Sequence, residues 1–148
     1  MAKTIFVDAD RAALLDRVGQ LSATAPARWG KFTAPKMVSH LIAAVRMALG
    51  ELPCVPKGNI LRFPPLRYLV IYVMPWPKGT PTAPEMLARV PESWDADIAE
   101  LRAAVERAAA NGRQGKWAVH PAFGALSADH WGALIHRHMD HHLTQFGV

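Results

Sequence analysis

Two histidines, His138 and His142, stand one helical turn apart in the middle of an apolar stripe near the C-terminus. The run His130–Gln145 that holds them contains five of the seven histidines of the chain. Ser127 precedes it as an N-cap and Asp129 lies in the first turn, where a negative charge suits the helix dipole, so the pattern predicts a helix over about 128–145. At about 100° per residue, Trp131, Leu134, Ile135, His138 and His142 share one face. That face must meet a core, and buried imidazoles need partners. Imidazoles at i and i+4 can converge on one metal ion, or they can pack as hydrogen-bonded core residues. His136 falls on the opposite face, where solvent is expected. His130 and His141 fall on the flanks, and Asp140 points away from the stripe.

The rest of the chain supplies partners for this helix. Leu14, Leu15, Val18 and Leu21 give one buried face to a first helix predicted over about 8–23, with Asp8 or Asp10 as its cap. The connector Arg28–Thr33 carries Trp29 and Phe32, which are expected to plug an end of the core. Thr33 then caps a second helix with Pro35 in its first turn, and Gly50 ends it. Its stripe is Met37, His40, Leu41, Ala44, Val45 and Ala48. His40 is therefore a third inward imidazole, able to meet His138 and His142. A third long helix follows from Trp94, Ile98, Leu101, Val105 and Ala108, with Asn111-Gly112 as the stop.

Most of the twelve prolines fall between Pro53 and Pro91, which excludes one long helix there. Within this segment Arg67–Met74 reads as either a strand or a short helix. Four amphipathic helices with one long Pro-rich crossover between the second and third predict an all-α four-helix bundle, a single domain over 1–148. Bundles of this kind build metal sites from side chains on facing helices.

Cys54 is the lone cysteine, so no disulfide framework or cysteine-rich metal site is available. No apolar run is long enough for a signal peptide or a spanning helix, and the expectation is a soluble cytoplasmic protein without membrane partners. The net charge of +5 is uneven: between Arg28 and Lys78 there are eight Lys or Arg against the single acid Glu51. Such a segment attracts an anionic small molecule or an acidic partner, or is simply a solvated basic face. No nucleic-acid-binding module accompanies it, so nucleic acid is not expected.

The connector Trp29-Gly30-Lys31, the inward His40-Leu41 and the terminal run His138–Gln145 resemble the DinB/YfiT-like superfamily. The nearest branch is an uncharacterised DinB-like domain family, with phrases similar to Pro77–Pro84, His120–Gly124 and His141–Gly147. The resemblance implies a four-helix bundle holding one divalent ion, zinc or nickel, on His40, His138 and His142. It also implies a homodimer and, for several superfamily members, thiol S-transfer with glutathione, mycothiol or bacillithiol. One departure is that the superfamily's His-Arg-Gly-Gln is replaced by His142-Leu-Thr-Gln145. The adjacent His141 leaves open which of the two neighbours serves as ligand.

Three imidazoles leave a coordination position for water or substrate, so a metal-dependent enzyme is expected, either a thiol transferase or a hydrolase. The alternative class is a non-catalytic bundle that binds a small ligand. His120, in an extended segment before Pro121, is the candidate acid/base or substrate contact at the mouth of the site. The crossover is expected to wall that mouth with Phe63, Tyr68, Tyr72, Met74 and Trp76, and Arg62 and Arg67 are the candidates to meet an anionic cosubstrate. Metal affinity should fall with pH through about 6.5, or lower for buried rings.

Overall fold

The computed structural model describes all residues, 1–148, and is all-α. Four long helices, α1 (Asp8–Gln20), α2 (Ala34–Ala48), α4 (Trp94–Asn111) and α5 (Ala128–Gln145), pack with the short α3 (Pro64–Tyr68). This is the helical packing of a DinB-like bundle, as the resemblance implies. A cluster of 26 buried residues forms the core, with Trp131, Leu14, Met37, Leu41, Leu101 and Leu143 among the fully enclosed ones. No helix is long and apolar enough to cross a membrane.

Helix ends follow local chemistry. The hydroxyls of Thr33, Ser93 and Ser127 accept from the amides of Lys36, Ala96 and His130, satisfying N–H groups that a first turn leaves unpaired. Helix α1 differs from expectation. Its N-cap position is Val7, without a side-chain cap, and Asp10 instead accepts from the Thr4 amide at 3.1 Å. It also stops at Gln20, because Leu21 turns extended toward Pro26.

The Pro-rich crossover is helical where the sequence left two readings. Pro64 and Pro65 occupy the first turn of α3, where a missing N–H costs little. The chain then continues as a π-helical turn over Leu69–Val73. Arg137 of α5 donates to the carbonyls of Ile71, at 2.8 Å, and Met74, pinning this stretch to the histidine helix. On the other side Lys36 Nζ donates to the carbonyls of Leu87, at 2.7 Å, and Arg89, at 3.3 Å. Arg89 meets the carboxylate of Asp97 at 2.6 Å and the Ser39 hydroxyl at 2.9 Å. Asp97 is 1% exposed, so it does more than complement the dipole of α4: it is a buried charge paired with a partly buried guanidinium.

His136 corrects the sequence reading, since it is buried rather than solvated. The N-terminal segment before α1 lies over that face of α5. Ile5 is fully buried there and its amide donates to the Gly132 carbonyl at 3.3 Å. A Cβ on Gly132 would stand 2.5 Å from Thr4 Oγ1 and 2.6 Å from a Phe6 ring carbon. Substituting Gly132→Ala gains about 1 kcal/mol of helix propensity and adds an overpacking cost of about 1–3 kcal/mol. The clash involves a segment tied by a backbone bond, so the cost should prevail. Urea unfolding of Gly132→Ala is expected to show a net loss of about 1 kcal/mol; equal or greater stability would mean that the N-terminal segment yields freely.

Candidate metal centre

Helices α2 and α5 bring His40, His138 and His142 together, with ligand-capable atoms all within 4.8 Å of one another. His40 Nε2 and His138 Nε2 are 3.0 Å apart, close to the roughly 3.4 Å that separates tetrahedral ligands about 2.0–2.1 Å from a zinc ion. The His138 and His142 ring centroids are 4.9 Å apart, as expected of i and i+4 positions on one helix. Phe32 closes the cluster from the connector, stacking on His40 at 5.3 Å and tilting against His142 at 5.7 Å.

The outer nitrogens of two rings are occupied. His40 Nδ1 faces the Met86 carbonyl at 3.4 Å. A carbonyl only accepts, so Nδ1 carries the proton and Nε2 the lone pair. His142 Nδ1 bonds Gln145 Oε1 at 2.7 Å, which leaves its Nε2 toward the cluster. Metal-bound imidazoles characteristically have such outer partners, carbonyls among them. Without an ion, His138 Nε2–H is the only donor that can serve the bare His40 Nε2 across their 3.0 Å contact.

Burial favours the neutral rings that a metal requires. It lowers the His40 pKa to about 4, against a smaller rise from the Met86 bond. It lowers His142 to about 4 as well, with the Gln145 bond opposing and the His40 and His141 charges adding. His138 keeps some exposed surface but sits among other imidazoles. Burial first, then the charges of His142, His40, His141 and His120, push it well below 6.5. Proton competition for the site is thus displaced well below the ordinary histidine range. The donor set fits a divalent ion: three neutral imidazoles with no acid among them, His40 and His142 turning lone pairs to the cluster and His138 able to do the same by carrying its proton on Nδ1.

His141 is not part of the cluster. Its ring lies edge-on to Trp29 at 5.8 Å and tilted against Trp76 at 5.9 Å. Together with Arg137, Asp140 and Thr144 these residues line a cavity of about 200 Å³ beside the cluster. Trp76 also contacts His138 at 5.8 Å, so it alone of the expected crossover aromatics walls both the cavity and the cluster. Tyr72 lies against His130 at 5.6 Å, and Phe63, Tyr68 and Met74 are exposed.

Arg62 and Arg67 lie outside that cavity, donating to the carbonyls of Lys57 at 3.2 Å and Ala125 at 2.9 Å. His120 accepts at Nδ1 from the amides of Ala122, at 3.0 Å, and Phe123, at 3.1 Å, which places its proton on Nε2. It packs on Trp131 at 5.3 Å, and burial lowers its pKa to about 4. Asp140 pairs with Arg17 at 2.5 Å, away from the ligand nitrogens as expected. The Cys54 thiol is pushed up by burial and by Glu85, which makes it a poor nucleophile.

Sequence reasoning overlooked the Met86 carbonyl and the task of Gln145. The second was within reach, because i and i+3 residues share a helix face. The first was not, since no sequence signal marks which crossover carbonyl returns to α2. No curated protein and no solved structure matches the chain. A family model described as "Protein of unknown function (DUF1569)" matches residues 6–147, and the chain belongs to that family.

Proposed function

We propose that the protein is a metal-dependent enzyme in which His40, His138 and His142 hold one divalent ion, zinc or nickel. The observation that carries this reading is the convergence of three imidazoles, two of which have their outer nitrogens held by acceptors. Kinship of the family with the DinB/YfiT-like superfamily supports it. Three protein ligands leave a coordination position, where such an ion lowers the pKa of bound water to about 7 or holds a thiol as its thiolate. The chain's own residues favour a small substrate with an apolar body. Trp29 and Trp76 offer flat walls, and Lys78 lies 4.6 Å over the Trp29 ring as a cation for a carboxylate-bearing thiol. His120, whose proton lies on Nε2, is the proposed donor to substrate. Thiol S-transfer is the reaction class these features suit best.

Elemental analysis of untagged protein tests the foundation. One equivalent of zinc or nickel per chain is expected, lost in His138→Ala. Absence of metal from the parent protein after incubation with either ion would overturn the proposal. Where metal is present, a panel of thiols with electrophilic acceptors should show turnover that a chelator removes.

A further inference from the structure

The geometry points to Gln145 as the residue that positions His142 by fixing its tautomer. The inference rests on the metal reading above, but its physical basis is independent of any ion. Gln145 is 3% exposed and its amide is used at both ends. Nε2 lies 2.7 Å from the Trp29 carbonyl oxygen, and Oε1 lies 2.7 Å from His142 Nδ1. The Trp29 carbonyl can only accept, so the NH₂ end of the amide must face it. Oε1 is then left facing the imidazole, and it too can only accept. His142 must therefore carry its proton on Nδ1. A neutral ring has one N–H, so the Nε2 lone pair is left for the cluster.

The surrounding backbone is arranged to hold this relay. The Arg28 amide donates to the Gln145 main-chain carbonyl at 2.8 Å, docking the connector on the end of α5. Gly30 lies at φ +79°, and a Cβ there would stand 2.7 Å from Gln145 Nε2. A side chain at that position would push the amide away from Trp29. The connector that α2 needs for its entry thus also orients a ring on α5, more than a hundred residues on in sequence. His138 shows the contrast, because no acceptor holds its outer nitrogen and its proton sits toward His40.

The test compares Gln145→Leu and Gln145→Glu with the parent chain. Leu removes both bonds. Glu keeps an acceptor for His142 Nδ1–H and loses only the donor to Trp29. Nitrogen NMR of the imidazoles in chelated protein reads the tautomer directly, and zinc affinity is read by competition with a chromogenic chelator. His142 is expected as the Nδ1–H form in the parent and in Gln145→Glu. In Gln145→Leu that preference is lost and zinc affinity falls about 10–100-fold, the range for outer-shell partners, while Gln145→Glu binds zinc within a few-fold of the parent. An Nε2–H form in the parent, or unchanged zinc affinity in Gln145→Leu with a folded circular-dichroism spectrum, overturns the assignment. Failure of the metal reading looks different: no variant binds zinc, and the tautomer measurement alone then decides the role of Gln145.

Discussion

Chelated protein is expected to lose a large part of its stability as the pH falls from about 6.5 toward 4. The pKa values of His40, His120 and His142 are lowered from 6.5 to about 4 by burial. Between those values the unfolded chain binds protons that the folded chain refuses, so unfolding takes up protons and acid favours it. The stability associated with neutral burial is therefore fully present above 6.5 and is lost progressively down to about 4. At about 1.4 kcal/mol per pH unit, each ring contributes about 3 kcal/mol across that window. The rings do not add independently, because His40 and His142 act on one another. Even two rings' worth is a large fraction of the roughly 5–15 kcal/mol that keeps a domain folded. Urea unfolding at pH 7.5, 6.0 and 4.5 in chelator measures it, and a flat profile across that range would show that the rings take up protons without unfolding.

Metal addition should produce the second large effect. An ion that binds only the folded chain, present at a thousandfold over its Kd, stabilises by about 4 kcal/mol. For a chain of this size each kcal/mol moves Tm by about 2–4 °C, so zinc should raise Tm by about 8–16 °C at pH 7.5. His138→Ala and His142→Ala should abolish the shift. His141→Ala should keep it, because that ring packs between Trp29 and Trp76 outside the cluster. The adjacent pair thus decides between the neighbours: loss of the zinc response in His141→Ala and its retention in His142→Ala would exchange their roles. With His40 and His142 near 4 and His138 also held well below 6.5 by burial, the zinc response should persist at pH 5.5 rather than fade at the ordinary histidine value.

What could be read from residues alone was what short-range chemistry decides. Thr33 and Ser127 are caps in the structure, and α5 runs over Ala128–Gln145 as its periodicity implies, because caps and apolar stripes act within a turn or two. The meeting of His40 with His138 and His142 was legible for the same reason: a polar side chain inside an apolar stripe has nowhere else to go. The crossover was less legible. A β-branched run such as Leu69–Val73 fits a strand or a helix equally by local preference, and its docking through Arg137 decides the matter. His136 was misplaced because the segment that covers it, around Ile5, has too few residues to show a period. Arg62 and Arg67 show a further limit, since a count of basic residues carries no information about where each guanidinium points.

The two carbonyls that orient the cluster lie in connectors, Met86 in the crossover and Trp29 in the loop before α2. Neither belongs to the helices that carry the rings. On the proposed metal reading, exchange of the ion should be coupled to local opening of these connectors, which costs far less free energy than unfolding of the bundle. Residence time at the cluster becomes a property of loop kinetics, and backbone amides near Trp29 and Met86 should exchange with solvent deuterium more slowly once metal is bound. A bundle that stays folded throughout would in this way take up and release the proposed ion on the timescale of its loops.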